Sequence, residues 1–331
     1  MAQTTMKALV YQTHGGPEVL EYVDHPMPVI TVDQILLKME AIGLNFADIY
    51  RRKGNYHQSG SSPWILGYEG AGTIVQVGEE VKDVRVGDRI AFADSPFSNA
   101  EYAAVHVDKC IRLPQDISCD IAASVLLQGL TAHYLVHDSF SIRKGSYALV
   151  HAAAGGVGQI LIQLIRHLGG IPIGLTSSQE NKKVALECGA HEVFLYSEDW
   201  IDRTVIYVST SDIKKGGIDV VYDSVGSTLM DSFGAAKTGG TVVFYGMAGG
   251  DPPHVDPRYL MDRSLTLTGG DLWNVTTSRK IRQERSDYLF QCIREKSLTL
   301  ADAKRFKLEE GAEAHRLLEG RSSTGKIILL P

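Results

Sequence analysis

The chain has 331 residues, enough for about two domains of ordinary size, each able to bury a core without disulfide staples. Apolar residues make up 44% and charged residues 22%, which excludes a disordered, collagenous or coiled-coil chain. With 33 basic against 39 acidic residues the formal charge is −6, so there is no global basic field to recruit nucleic acid or an anionic membrane.

From residue 7 to about 119 the sequence reads as short β runs, at 8–11, 34–41, 72–77, 89–91 and 102–107, broken by Gly, Pro, Asp and Asn. The period changes after Asp120, which is placed to cap a helix on which Ile121, Val125, Leu126, Leu130 and Tyr134 recur. Strand candidates at 147–151, 171–175, 193–195, 220–222, 241–245 and 265–268 then alternate with helices such as 157–168 and 182–188. Strand and helix in turn mean βαβ units and a parallel sheet, so the fold class is α/β. The tail carries helices at 281–295 and 312–319 and a closing strand at 326–330, with no internal repeat.

The four cysteines, Cys110, Cys119, Cys188 and Cys292, lie far apart with no Cys-x-x-Cys pair. That argues against a zinc cluster and a secreted disulfide framework, and for a reducing, cytoplasmic setting. Cys119, Cys188 and Cys292 read as small buried hydrophobes in helical stretches. No targeting segment and no run of 18 apolar residues is visible, so a soluble protein without a membrane partner is expected.

The segment Tyr147-Ala-Leu-Val-His-Ala-Ala-Ala-Gly155-Gly156-Val157-Gly158, followed by Gln-Ile-Leu-Ile-Gln-Leu-Ile-Arg-His-Leu168, is a buried strand, a small-residue turn and a helix. Val157, Leu161, Leu164 and Leu168 form its apolar face. A dinucleotide fold needs small residues there: the turn is tight, the backbone approaches a pyrophosphate, and the helix packs closely on the strand. Ala153, Gly155 and Gly158 occupy those three places, with Ala153 where the usual pattern has its first Gly. The second strand ends in Leu175-Thr-Ser-Ser178 rather than in the acid of an NAD site, and Lys182 and Lys183 follow within reach of a 2′-phosphate. This favours NADPH, with Glu180 as a mild counter-signal and a solvated helix face as the other reading of the two lysines.

Taken together, these residues resemble the zinc-free quinone oxidoreductase (zeta-crystallin-like) branch of the medium-chain dehydrogenase/reductase superfamily. The resemblance rests on His14-Gly-Gly-Pro-Glu-Val-Leu20, Gly43-Leu-Asn-Phe-Ala-Asp-Ile-Tyr-Arg51, Gly67-Tyr-Glu-Gly-Ala-Gly72, Val86-Gly-Asp-Arg89 and Leu127-Gln-Gly-Leu-Thr-Ala-His-Tyr134. The Gly155 loop, Tyr222-Asp-Ser-Val-Gly226 and Ser323-Thr-Gly-Lys326 extend it nearly end to end. It implies a discontinuous GroES-like β domain over 1–125 and 272–331, a Rossmann NADP(H) domain over 126–271, and an active site in the cleft between them. The zinc enzymes of the superfamily carry Cys where this chain has Asn45 and His where it has Tyr68, so the resemblance implies no metal.

Residue by residue, the resemblance implies Asn45 and Tyr50 at the nicotinamide, flanked by Gln128 and Thr131. It implies Gly155, Gly156, Val157 and Gly158 at the pyrophosphate, and Ser177, Lys182 and Tyr196 at the 2′-phosphate. Phe244, Gly246 and Met247 would lie beside the nicotinamide ribose, and Leu272 and Lys326 would complete the cofactor set. Two departures stand out: the family's 2′-phosphate Lys aligns with Asn181, and its Arg-Pro near the nicotinamide amide is Gly269-Gly270 here. The family also implies a homodimer joined through the strands near 241–245 or 265–268.

A quinone is a good electron acceptor, so the chain need supply an oriented nicotinamide, an apolar slot and a donor for the developing oxyanion. Tyr50, read as lying in a polar turn, is the choice for that donor and Tyr56 the reserve; packing the pocket is the other reading of Tyr50. Asp48 and Arg51 read as a local surface pair of little worth. Glu69 reads as structural, and His133, His137 and His151 as ordinary, since none stands at a metal spacing. Quinone reduction leads, with alkenals and enones as the neighbouring substrate class. A binding or structural role, RNA binding included, is the reading from another class; it rests on Arg51-Arg52-Lys53 and the run from Arg279 to Arg285.

Overall fold

The structure is a computed structural model that describes residues 5–211, 216–320 and 324–331; Ser323 of the last motif lies outside them. The chain forms two compact units, one of residues 1–127, 276–291 and 300–331, the other of 128–275 and 292–299.

The first unit is built on β structure. In the strand Gln34–Leu44, buried Leu37, Met39 and Ala41 alternate with exposed Lys38 and Glu40, the period of a sheet with one face in the core. This strand pairs antiparallel with Gly70–Val77, Tyr102–His106 and Ile327–Leu330, and the sheet continues to Arg89–Phe92, Ile111–Arg112 and Lys304–Lys307. Thr5–Tyr11 lies between Glu21–Pro26 and Trp64–Ile65 in a smaller antiparallel sheet. Leu9, Tyr11, Leu37, Ile42, Phe92, Leu308 and Leu329 belong to one core.

Several elements of this unit carry no readable signal. Glu21–Pro26 has no fully buried residue and Lys304–Lys307 is a charged strand, so neither shows an apolar alternation. Phe46–Arg52 is a helix of only 7 residues, too short to display a period, and Tyr50 therefore sits on a helix rather than in a turn. The expected Asp120 cap is also corrected. Ser118 Oγ accepts the Ile121 amide at 3.2 Å, while Asp120 binds the Arg305 guanidinium at 2.8 Å. One helical run among the described residues, Cys119–Ser139, passes a length-and-hydropathy test for crossing a membrane, but it is interrupted by Asp120, Gln128 and His133, and 72% of its most apolar 18-residue window is buried within the protein.

The second unit is a six-stranded parallel sheet in the order Glu192–Leu195, Ile171–Thr176, Tyr147–Val150, Ile218–Asp223, Ala236–Phe244, Thr266–Gly269. Every residue of Tyr147–Val150 and Ile218–Asp223 is buried, as expected of strands covered on both faces. The helix Gly156–His167 buries eight consecutive residues from Gly158 to Ile165, rather than the single face read from the sequence. Its buried Gln163 accounts for part of this. The carboxamide receives the Thr299 amide at 2.8 Å and donates to the Thr299 carbonyl at 3.0 Å, which ties 292–299 to this unit and not to the other. The helix Trp200–Ser211 escaped the sequence reading because β-branched residues crowd its middle.

Candidate active site

In the first unit the chemistry gathers around Glu69, which is fully buried. Its Oε1 accepts the Leu127 amide at 2.7 Å; its Oε2 accepts the Lys326 ammonium at 2.5 Å and the Asn45 amide group at 2.9 Å. Lys326 also donates to Asn45 Oδ1 at 2.8 Å, and Asn45 Nδ2 reaches the Gly43 carbonyl at 3.2 Å. Asn45 thus has both amide hydrogens spent, and the one polar capacity left on its side chain is the second lone pair of Oδ1. The arrangement requires Gly43, because a Cβ there would strike the Glu69 carboxylate and come within 2.6 Å of the Ala123 carbonyl. Lys326, expected at the cofactor, holds Asn45 and Glu69 in this structure.

Asn45 precedes the helix Phe46–Arg52, and its backbone N–H donates to Asp48 Oδ2 at 2.9 Å. Burial pushes the Asp48 carboxyl up to about 6, with Arg51 pulling the other way. Asp48 and Arg51 are each 1% exposed, so they are not the surface pair the sequence suggested. The Arg51 guanidinium lies 3.6 Å from the Tyr68 ring centroid and 4.9 Å from that of Tyr56, a desolvated cation between two aromatic faces. Tyr50 and Tyr56, the two donor candidates, meet edge to face with centroids 6.3 Å apart.

In the second unit, the residues expected at a nucleotide collect beyond the carboxyl ends of the parallel strands. Gly155 precedes the first turn of Gly156–His167. A Cβ on Gly158 would collide with the Ala152 carbonyl and lie 2.9 Å from Ala153, so no other residue fits this turn unchanged. Gly156 faces the Gln128 carboxamide, and Thr131 lies one turn along the same helix, Cys119–Tyr134. Phe244 ends its strand, and Gly246 and Met247 follow at the rim, half-buried. Leu272 is buried at the start of Leu272–Val275. Ser177 is exposed just past Ile171–Thr176 and accepts the Asn181 amide at 3.3 Å. Lys182 is 3.3 Å from Glu192, while Lys183 is exposed.

One feature was missed by the sequence reading, the group around His151, whereas Glu69 was read as structural. His151 is fully buried and joins Tyr196, Ser232, Thr228 and Asp223 in a hydrogen-bonded group behind the glycine loop. Its position just before the loop was the available signal. Glu69 is the hub that connects four segments of the first unit, which its place in a glycine-flanked turn foreshadowed. Among the described residues no group of three or more His, Cys, Asp or Glu stands where a metal ion would be held.

A parallel sheet whose first strand, loop and helix occupy the middle of a 3-2-1-4-5-6 order is the dinucleotide-binding architecture of dehydrogenases. Comparison with known proteins agrees: the alcohol dehydrogenase GroES-like domain matches residues 31–144 and the zinc-binding dehydrogenase domain matches 156–284. A quinone oxidoreductase of Pseudomonas aeruginosa is 38% identical over 330 residues, covering 98% of this chain and 99% of that protein. A 2-haloacrylate reductase of a Burkholderia species is 34% identical over 332 residues, with 98% of each chain covered. The structure of Escherichia coli quinone oxidoreductase complexed with NADPH superposes with a TM-score of 0.93 at 34% identity, over 98% of this chain and all of that one. The chain belongs to the quinone oxidoreductase (zeta-crystallin-like) family of the medium-chain dehydrogenase/reductase superfamily.

Proposed function

We propose that the protein is an NADPH-dependent oxidoreductase that reduces quinones without a metal ion. The observation that carries this is the cradle of Ala153, Gly155 and Gly158 at the carboxyl end of the first parallel strand, in a chain similar over its whole length to quinone oxidoreductases. The cradle fits a dinucleotide, since the Gly158 Cβ space is closed and the amides of the first helical turn are available for pyrophosphate oxygens. Gly155, Gly156, Val157 and Gly158 hold that pyrophosphate. Gln128, Thr131, Phe244, Gly246, Met247 and Leu272 border the nicotinamide half, and Ser177 with Lys183 favours the 2′-phosphate; Lys182 is drawn toward Glu192.

The bound nicotinamide supplies the hydride. Asn45 serves as an acceptor for a donor group of the cofactor, because its amide hydrogens are committed to Glu69 and Gly43. Tyr50 donates a hydrogen bond to the acceptor oxygen as it gains charge. Activated alkenes such as alkenals and haloacrylates form the second substrate class, favoured by the likeness to the 2-haloacrylate reductase. A nucleic-acid role lacks its basis in charge: Arg52 pairs with Glu319, Arg279 with Asp83 and Arg282 with Asp94. We further propose a cytoplasmic homodimer, joined through the sheet edge at Thr266–Gly269.

The test is titration with NADPH and NADH by nicotinamide fluorescence. 1,4-Benzoquinone, 9,10-phenanthrenequinone, an alkenal or 2-chloroacrylate is then added while NADPH absorbance is followed. Tighter NADPH binding with quinone turnover is expected; failure to bind either nucleotide refutes the proposal, and faster turnover of an alkene moves the substrate class.

A further inference from the structure

The helix Phe46–Arg52, which carries Tyr50, is too short to hold its own place: 7 residues make less than two turns, well under the length at which a helix stands alone in water. Its position is set by what holds its ends, and one C-terminal stretch holds both. At the first end Lys326 donates to the Asn45 side chain at 2.8 Å. At the last, the fully buried Arg52 guanidinium divides its donors among three partners: Nε to the Gly15 carbonyl at 3.2 Å, Nη2 to Glu319 Oε2 at 2.5 Å and Nη1 to His315 Nδ1 at 3.2 Å. His315 and Glu319 stand one turn apart on the helix Gly311–Glu319 and so share a face. A guanidinium donates only, so Nδ1 is the acceptor and the neutral ring keeps its proton on Nε2. Burial, with Arg52 beside it, pushes the His315 pKa down to about 3. Nε2 itself has no hydrogen-bond partner among the described residues. A buried N–H without an acceptor destabilises, so packing alone does not account for an imidazole here; what it offers beyond an apolar side chain is the Nδ1 lone pair that orients Arg52.

We infer that His315 is a positioning residue for quinone reduction: through Arg52 it fixes the last turn of Phe46–Arg52, and with it the place from which the Tyr50 hydroxyl donates to the acceptor oxygen. This deepens the quinone reading and rests on it, the donor role of Tyr50 included. Residues two apart on a helix do not face each other, so Arg52 and His315 act on Tyr50 through the backbone and not by contact. A donor aimed at developing charge works only at hydrogen-bond distance, so a small displacement of this turn lowers the rate and leaves nucleotide affinity alone.

The test compares full-length wild type, H315L, H315N, Y50F and the H315L/Y50F double variant, following NADPH oxidation by 1,4-benzoquinone and NADPH affinity by nicotinamide fluorescence. H315L removes the acceptor, and H315N sets a carboxamide oxygen close to where Nδ1 stood. H315L is expected to lower kcat about tenfold, with NADPH affinity unchanged because the glycine loop belongs to the other unit. H315N recovers most of kcat. In the Y50F background H315L costs no further rate, since both changes act through one hydroxyl. Losses that multiply in the double variant, Y50F at the wild-type rate, H315N as slow as H315L, or an H315L loss that falls equally on NADPH affinity each overturn the inference. Hydrogen exchange of the amides at 50–53 reads the same point without turnover: faster exchange in H315L but not in H315N supports it, and unchanged exchange in H315L overturns it. Should the wild type reduce no quinone, the quinone reading fails, while exchange still decides whether His315 fixes the helix.

Discussion

At the scale of single residues the central fact is that Lys326 and Glu69 are 4% and 0% exposed and lie 2.5 Å apart. A buried pair of this kind stabilises little in net terms, because both charges are desolvated, but removing one partner leaves the other uncompensated. Lys326→Met is therefore expected to destabilise the chain by about 3–5 kcal/mol. The combined Lys326→Met and Glu69→Gln change recovers most of that loss. Urea midpoints of the three proteins check this, and a double variant as unstable as the single would sink the idea. The double variant still binds nucleotide more weakly, since the Asn45 carboxamide is no longer held one way round. The sequence singled out Asn45, but not the contacts that hold its side chain. Nothing in spacing says that residue 326 folds against residue 69, because the contact depends on Ile327–Leu330 pairing with Gln34–Leu44. Of the cysteines read as small buried hydrophobes, Cys119 and Cys292 are buried and Cys188 is half-buried; burial pushes the Cys119 thiol up to about 12, which suits an inert packing group.

At the scale of elements, the strand–loop–helix at 147–168 was readable because a fully buried strand, a small-residue turn and a long helix each leave their own pattern. The structure adds a gradient among the glycines. A Cβ on Gly158 collides with backbone, whereas one on Gly155 has only the Ala152 carbonyl near, at 3.1 Å. Gly158→Ala is expected to cost about 1–3 kcal/mol through overpacking and to weaken NADPH at least tenfold. Gly155→Ala should be distinctly milder on both counts. Thermal unfolding with a parallel nucleotide titration measures the two together, and equal effects would contradict the geometry. The helix Phe46–Arg52 was not readable, although it carries Tyr50, since seven residues with buried Arg51 and Arg52 show no amphipathic period. The second parallel strand was read correctly at its end, where Thr176, Ser177 and Ser178 replace an acid. Lys182, read toward the 2′-phosphate, lies 3.3 Å from Glu192, a neighbour that spacing along the chain does not reveal.

For the whole molecule, buried titratable groups in both units set the response to acid, and their signs oppose. His151 and His315 are fully buried and neutral, the latter pushed down to about 3, chiefly by burial and also by Arg52. A histidine with a depressed folded pKa takes up its proton in the unfolded chain first. Its contribution is therefore intact above the unfolded pKa near 6.5 and is lost as pH falls below it. Asp48 runs the other way. Its carboxyl titrates near 6 when folded against a usual 3.8, so the folded chain gains a proton first, and stability recovers as pH falls between those values. Stability should thus decline as pH falls below the unfolded histidine pKa near 6.5, less steeply than the histidines alone would give because Asp48 opposes them. Below that, Asp33, Glu180 and Asp256, held below their usual values by hydrogen bonds, add to the loss. H151F removes one histidine from the balance, so its unfolding free energy should fall less steeply than that of the wild type as pH drops below about 6.5. Urea unfolding of wild type and H151F at half-unit steps of pH separates the two slopes. Parallel slopes would mean that His151 already carries its proton in the folded chain, contrary to its burial as a neutral ring.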